Sequence, residues 1–197
     1  MNYTKIRQLN KLYFNYRDIS RAFRISLGSS RVAATRLVKS GDLTRIKRNF
    51  YVLSQKWNSS SLEERFILAN LIQVPSYISL MTALSYYEAT TQVQRDFIES
   101  VVYYRTKLVE VMDSSFNYSK INRKLYFGFV KLKGFFIATA EKAFLDAFYL
   151  KSLRKYNFDI TSVDFNKLNM KLIVSMAGKY PLLTRKLLLK YGYLKKA

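Results

Sequence analysis

The stretch SSRVAATRLVKSGDLTRIKRNFYVL, residues 29–53, predicts a short helix followed by a β-hairpin. Ser29 or Ser30 is a residue type that caps helix N-termini, and Gly41 is one that ends helices. Two apolar runs, residues 43–46 and 50–53, fit paired strands around a basic turn in which Asn49 tolerates positive φ. A helix, a glycine and a hairpin in this order are typical of a winged helix-turn-helix.

The predicted helix has two different faces when its residues are placed at about 100° intervals. The packing face consists of Ala33, Ala34, Leu37 and Val38. The other face carries cations, a hydroxyl and a valine without an acid: Arg31, Val32, Thr35, Arg36 and Lys39. Such a mixture suits phosphates, base edges and a thymine methyl group. An ordinary solvated helix face is the alternative, and the basic hairpin beside the helix favours nucleic acid.

The residues before this stretch complete a small helical domain. Apolar spacing predicts a first helix over residues 4–14 and a second over residues 16–23, with a turn at residues 24–28. Residues 54–61, SQKWNSSS, have no periodicity and predict a linker in which Trp57 is an anchor. We therefore expect a winged helix-turn-helix domain over residues 1–55 and a second domain over residues 62–197.

The second domain is predicted to be mixed α+β, with an antiparallel sheet between helices. Strand-like segments lie at residues 96–104, 109–112, 116–118, 125–132 and 135–138. A helix follows Thr139, and two C-terminal helices are expected over residues 163–177 and 182–191. The fold class predicted for the whole chain is α+β.

The charge balance points to a polyanionic partner or an anionic surface. The 197 residues include 34 Lys and Arg against 13 Asp and Glu, a formal charge of +21. An AT-rich genome would raise Lys, Asn, Tyr and Phe, but it would also raise Glu, so it does not explain the scarcity of acids. Residues 1–60 carry 13 basic and 2 acidic side chains, about half of the excess. This bias supports a DNA-facing N-terminal domain.

The composition restricts the chemistry. The chain has no Cys and no His, which removes disulfides, thiolate nucleophiles, imidazole bases and metal sites built on these residues. Glu141 and Asp146 diverge by about 140° on one helix, and Lys142 with Asp146 is an i, i+4 ion pair, which contributes little to stability when it is exposed. We expect no enzyme activity, no cofactor and no metal. Neither a signal sequence nor an apolar run of about 18 residues occurs, so we expect a cytoplasmic protein without a membrane partner.

Three blocks of the sequence resemble the AbiE-type antitoxins of bacterial type IV toxin–antitoxin and abortive-infection systems. They are RLVKSGDLTRIKRNFYVL (residues 36–53), VPSYISLMTALSYYE (residues 74–88) and GFFIATAEKAFLDAFYL (residues 134–150). Asn49 stands where the family usually has glycine. Met81, Thr82, Tyr87 and Glu88 depart from the usual Glu, Ser, His and Gly of the second block. Any polar role that the family gives to these positions is therefore not transferred.

The resemblance implies a DNA-binding antitoxin. Its N-terminal domain would repress its own operon, and its C-terminal domain would counter a nucleotidyltransferase-like toxin, with or without direct contact. The alternative is a protein-interaction module that binds an acidic partner or the toxin directly, without sequence-specific DNA binding. A basic C-terminus, formed by Arg185, Lys186, Lys190, Lys195 and Lys196, fits a second DNA contact, an acidic partner or a solvated face.

The predicted partner of the first domain is double-stranded DNA, namely the protein's own operator. The residues expected to enter the major groove are Ser29, Ser30, Arg31, Val32, Thr35 and Arg36. Those expected to contact phosphates are Lys39, Arg45, Lys47 and Arg48.

Overall fold

The computed structural model describes residues 4–92 and 94–194. The chain divides into two compact units, Met1–Arg65 and Phe66–Ala197, which are described separately below. Within the described ranges, no helix combines the length and the apolar character needed to cross a membrane. The predicted boundaries, 1–55 and 62–197, remain a prediction about independently folding domains.

The first unit contains short helices and one two-stranded antiparallel sheet. Its elements are α1 Thr4–Arg7, α2 Tyr16–Phe23, α3 Leu27–Lys39, β1 Leu43–Lys47, β2 Phe50–Leu53 and α4 Ser54–Asn58. The apolar faces of the helices and strands meet in one core, which includes Ile6, Ile19, Ala34, Leu37 and Leu43. This unit has the helix and hairpin expected from residues 29–53.

The first predicted helix is wrong beyond its first turn. The helix α1 ends at Arg7, and Asn10 adopts a positive φ of 42°, which a continuing right-handed helix does not allow. Farther along, the Phe14 N–H donates to the Tyr51 carbonyl at 2.7 Å, and the Tyr51 N–H donates back to the Phe14 carbonyl at 2.9 Å. The backbone at Phe14 therefore pairs with β2 instead of forming helical hydrogen bonds.

Two further expectations for the first unit are corrected. The N-cap of α3 is Ser26, whose Oγ accepts from the Ser29 N–H at 3.1 Å, so the helix begins before the predicted serine pair. The segment expected to be an irregular linker contains α4, and Trp57 is completely buried there. The Arg65 guanidinium lies 5.6 Å from the Trp57 ring centre. Burial of the indole therefore orders a stretch whose polar composition predicted a loop.

The second unit is a six-stranded sheet with helices. The division between the units falls within α5 Leu62–Ile72. The elements that follow are β3 Tyr77–Ile78, α6 Leu80–Tyr86, β4 Phe97–Val102, β5 Lys107–Val111, β6 Ser114–Lys120, β7 Phe129–Leu132, β8 Phe135–Ala138, α7 Ala140–Ser152, α8 Met170–Ala177 and α9 Leu182–Lys190. The helix α7 has buried residues on all sides, and both α8 and α9 pack against it.

The prediction of an antiparallel sheet is wrong, because the sheet is mixed. Its strand order is β5-β6-β4-β3-β8-β7, in which β4 pairs with β6 and β3 pairs with β8 in parallel. The strand β6 lies between β4 and β5, although β5 precedes it in the chain. Alternating apolar residues predict that a segment is a strand, but they do not specify its neighbour. The parallel pairs therefore had no signal in the sequence.

The predicted helix over residues 163–177 is also too long. Only α8 is α-helical in that range, and it is preceded by a 3-10 turn at Phe165–Lys167. Asp164 and Asn169 accept hydrogen bonds from nearby backbone N–H groups, at Asn166 and Leu172 respectively. Asp164 therefore caps the 3-10 turn, and Asn169 caps α8. The two caps divide a segment whose apolar periodicity predicted one continuous helix.

Candidate nucleic-acid interface

The helices α2 and α3 form a helix-turn-helix arrangement. Three residues, Arg24, Ile25 and Ser26, join the two helices, and Arg24 turns the chain in the left-handed conformation at φ 54°. A turn of this length is typical of the motif. The start of α2 is fixed by a capping box between Asn15 and Asp18. Both helices therefore have defined termini as well as a shared core.

The exposed face of α3 carries six of the seven residues of this helix that were predicted to contact DNA. Ser29, Arg31, Val32, Thr35, Arg36 and Lys39 are exposed, whereas Ala33, Ala34 and Leu37 are buried. Val32 is 53% exposed, so its methyl groups are available for contact with a thymine methyl group. The Thr35 hydroxyl donates to the Arg31 carbonyl at 3.0 Å and keeps its lone pairs for an incoming donor.

Ser30 is the exception among the predicted contacts. Its side chain is completely buried, and its hydroxyl donates to the Leu27 carbonyl at 2.7 Å. The neighbouring Ser29 is exposed and its Oγ lies 2.9 Å from the Ser26 Oγ at the start of the helix. The structure therefore places Ser29 at the candidate interface and removes Ser30 from it.

The hairpin after α3 presents the second group of predicted contacts. Arg45, Lys47 and Arg48 are all exposed, and the pairing of β1 with β2 shifts register between Arg45 and Lys47. The Lys47 ammonium lies 5.6 Å from the centre of the Phe50 ring. Asn49 occupies the turn at φ 59°, as its residue type predicted. The hairpin tip thus projects cations from a turn of defined geometry.

Tyr16 connects the tip of the hairpin to α3. Its backbone N–H donates to the Asn49 Oδ1 at 2.6 Å, and the Arg31 guanidinium lies 5.8 Å from the centre of its ring. The Tyr51 hydroxyl donates to the Tyr16 hydroxyl at 3.2 Å. Burial, together with this hydrogen bond, raises the pKa of Tyr51 to about 12, so Tyr51 remains a donor at neutral pH. Tyr16 therefore contacts both Arg31 of α3 and Asn49 at the tip of the hairpin.

Sequence reasoning missed Tyr16 as a positioning residue, because its partners lie 15, 33 and 35 residues away. It also did not include Arg17, Arg21 and Arg24, which are exposed on α2 and on the turn after it. In helix-turn-helix proteins the first helix of the motif crosses the DNA backbone. The packing of α2 against α3 therefore adds these three arginines to the candidate interface.

The i, i+4 ion pair of Lys142 and Asp146 that the sequence indicates is buried in the second unit. Lys142 and Asp146 on α7 are both completely buried, and the Lys142 ammonium donates to Asp146 and, at 2.9 Å, to the Tyr180 hydroxyl. The other Asp146 oxygen accepts from the Tyr77 hydroxyl at 2.9 Å and from the Ser79 hydroxyl at 3.0 Å. Burial lowers the pKa of Lys142, although Asp146 opposes this effect. The pair is an internal polar cluster that joins α7 to β3.

Glu99 on β4 is a second buried acid that the sequence did not reveal. It is 1% exposed, and its Oε2 accepts from the Met81 N–H at 3.1 Å and from the Tyr156 hydroxyl at 3.0 Å. Burial raises the pKa of this carboxyl to about 7, while the hydrogen bonds partly oppose the rise. Glu141, the acid that the sequence did single out, accepts from the Asn169 N–H at 3.1 Å. It is separate from both buried clusters.

The comparison with known families matches the part of the chain that forms this interface. Residues 5–54 match the model of a family described as transcriptional regulators, AbiEi antitoxin. The matched segment contains α2, α3 and the whole β1–β2 hairpin. The resemblance noted in the sequence is therefore confirmed for the first unit. A comparison with curated proteins found no match to the chain.

Proposed function

We propose that the first unit is a winged helix-turn-helix that binds double-stranded DNA. The helix α3 enters the major groove, where Arg31, Val32 and Thr35 contact base edges, with Ser29 and Arg36 beside them. Lys39, Arg45, Lys47 and Arg48 contact phosphates, and the hairpin tip is the wing. The arginines of α2 provide additional contacts to the DNA backbone.

The observation that carries this proposal is a group of exposed cations without acidic partners. Across residues 4–92 and 94–194, no carboxylate forms an ion pair with Arg31, Arg36 or Lys39. Three acids of the first unit have other partners: Asp18 pairs with Lys11, Asp42 accepts from Ser40 at 2.6 Å, and Glu64 lies 3.6 Å from Lys56. A protein surface that is basic and not internally neutralised attracts a polyanion.

The biological role proposed for the chain is that of an antitoxin which represses its own operon. The family matched by residues 5–54 supports a regulatory antitoxin. The finer assignments, which are autorepression, a type IV system and a nucleotidyltransferase-like toxin, belong to the proposal alone. It places the protein in the cytoplasm with its DNA and assigns it no catalytic step. A reading frame for such a toxin next to this gene would support the assignment.

A titration of the full chain against its own upstream DNA tests the DNA-binding proposal. The four phosphate contacts of α3 and the hairpin predict that log K falls with log salt at a slope of roughly −3.6 for each bound chain, and the contacts from the arginines of α2 should make the slope steeper. Arg31→Ala should weaken binding by about tenfold or more and relax sequence preference, whereas Arg48→Ala should reduce the slope by about 1. Lys131→Ala, an exposed cation on β7 in the other unit, is the matched control and should leave both quantities unchanged.

Two results would contradict different parts of the proposal. One is equal affinity for the upstream DNA and for a scrambled duplex of the same composition, which would remove the sequence-specific part. The other is an unchanged DNA affinity in the double variant Arg31→Ala, Arg48→Ala. Because Arg31 lies on α3 and Arg48 on the hairpin, such a result would exclude both elements as the DNA contact.

A further inference from the structure

The helix α9 lies between two depressions on the surface of the second unit. Its buried residues, Thr184 and Leu188, face α7, and the Thr184 Oγ1 lies 2.9 Å from the Ser152 Oγ. Two stripes of the helix remain outside this contact. One stripe lines an apolar groove beside α8, and the other lines a basic cleft beside the C-terminal end of α7. The two surfaces are therefore contiguous across a single helix.

The apolar groove between α8 and α9 has a volume of about 590 Å³. It is lined mainly by aliphatic side chains, including Val174 of α8 and Leu182 and Leu189 of α9, and among the described residues Arg185 is the one charged residue in its lining. Val174 is 53% exposed and Leu182 is 58% exposed, and Leu183 on the adjacent stripe is 54% exposed. A continuous exposed apolar patch of this kind is typical of a binding surface in a folded protein.

The basic cleft on the other side of α9 has a volume of about 410 Å³ and is lined by four cations. They are Lys151, Arg154, Lys186 and Lys190. Lys151 donates to the Asn157 Oδ1 at 2.7 Å. No carboxylate in the described ranges pairs with Arg154, Lys186 or Lys190. Lys195 and Lys196, which the sequence analysis grouped with these residues, lie outside the described residues.

We propose that α9 and its two flanking depressions bind an acidic amphipathic helix of a partner protein. The apolar face of that helix would occupy the groove between α8 and α9. Its acidic flank would lie along Lys186 and Lys190, which are four residues apart on one stripe. Docking a helix in an apolar groove is a recurrent mode of protein recognition, and complementary charges fix its orientation. This proposal is independent of the proposed DNA binding by the first unit.

The chemistry of the surface favours this partner over the alternatives. Nucleic acid would satisfy the cations, but it would leave Val174, Leu182 and Leu183 without an apolar partner. A second copy of this chain would bring two basic α9 surfaces together, and like charges facing each other oppose association. An acidic amphipathic helix meets both requirements, because it covers the leucines and neutralises the lysines.

The test is a fluorescence anisotropy titration of the full chain with a synthetic helical peptide that has leucines on one face and glutamates on its flanks. Binding should weaken by about tenfold or more in Leu182→Glu and in the double variant Lys186→Glu, Lys190→Glu. Leu108→Glu, at an equally exposed leucine on β5, is the matched control and should change binding less than twofold. A peptide with the same charges and scrambled leucines should bind at least tenfold more weakly.

Several outcomes would overturn the proposal. Equal binding of the scrambled peptide would mean that the surface attracts negative charge in general and that the apolar groove does not contribute. Unchanged binding in Leu182→Glu and in the lysine variant would place the peptide elsewhere. Displacement of the peptide by a random-sequence duplex, with duplex binding lost in the lysine variant, would make the surface a nucleic-acid site. A dimer that Leu182→Glu converts to a monomer in sedimentation would assign the groove to a second copy. Circular dichroism of each variant verifies that the fold is retained.

Discussion

Glu99 should make the free energy of unfolding decrease as the pH rises. The substitution Glu99→Gln should remove this pH dependence. Burial raises the pKa of its carboxyl from the ordinary value of 4.5 to about 7 in the folded chain. The folded state therefore binds the proton more tightly than the unfolded state does. The resulting stabilisation is complete below about pH 4.5 and is lost as the pH rises through about 7. The interval between the two pKa values corresponds to about 3 kcal/mol.

The substitution Glu99→Gln removes the charge and keeps an oxygen that accepts from the Met81 N–H. Urea unfolding measured from about pH 4.5 to pH 8 should show wild type losing about 3 kcal/mol relative to this variant. Glu110→Gln, which changes an exposed carboxylate on β5, is the matched control and should follow wild type. Parallel pH profiles for wild type and Glu99→Gln would refute the reasoning, because they would mean that the carboxyl titrates alike in both states.

Three other substitutions test particular contacts by their effect on the free energy of unfolding. Ser26→Ala removes the N-cap of α3 and should cost about 1 kcal/mol, whereas Ser29→Ala should change stability by less than about 0.5 kcal/mol. A larger cost for Ser29→Ala would mean that Ser29 is the N-cap, as the sequence predicted. Asn49→Ala places alanine at a strained positive φ and removes a hydrogen-bond acceptor, so it should cost about 2 kcal/mol. Asn49→Gly removes only the acceptor and should cost about half of that. Equal costs for the two variants would rule out backbone strain. Lys142→Ala leaves the Asp146 carboxylate buried without its cation and should cost about 3–5 kcal/mol. The double variant Lys142→Ala, Asp146→Leu should recover part of this loss. If the losses of the two single variants instead add up in the double variant, the direct pairing is contradicted.

The secondary structure was predictable where it depends only on residues that are close together in the chain. The helix α3 has its apolar face at helical spacing, and the basic turn with Asn49 forms between two apolar strands as expected. The same logic failed for residues 4–14, because Phe14 exchanges two backbone hydrogen bonds with Tyr51, which is 37 residues away in the chain. Local periodicity does not report a distant hydrogen-bond partner.

The residue types of the candidate site were predictable from the sequence, but which of these residues are exposed and which are buried was not. Nine of the ten predicted contacts are exposed, whereas Ser30 is buried and its hydroxyl donates to the Leu27 carbonyl in the same helix. Its residue type suits a base contact as well as an internal one, so the sequence could not exclude it. A similar ambiguity applies to Lys142 and Asp146, because their i, i+4 spacing predicts an ion pair but does not tell whether the pair is exposed or buried.

The sequence by itself determined that the first unit carries a helix and a hairpin with basic, acid-free surfaces. These features follow from residue type and from spacing within a few residues. Only the tertiary structure decided that Tyr16 joins Arg31 to the hairpin tip, that the sheet contains parallel pairs, and that Glu99 and Lys142 are buried. Each of these depends on contacts between segments that are distant in the chain. Burial and long-range hydrogen bonds are properties of the packed chain, and no local pattern encodes them.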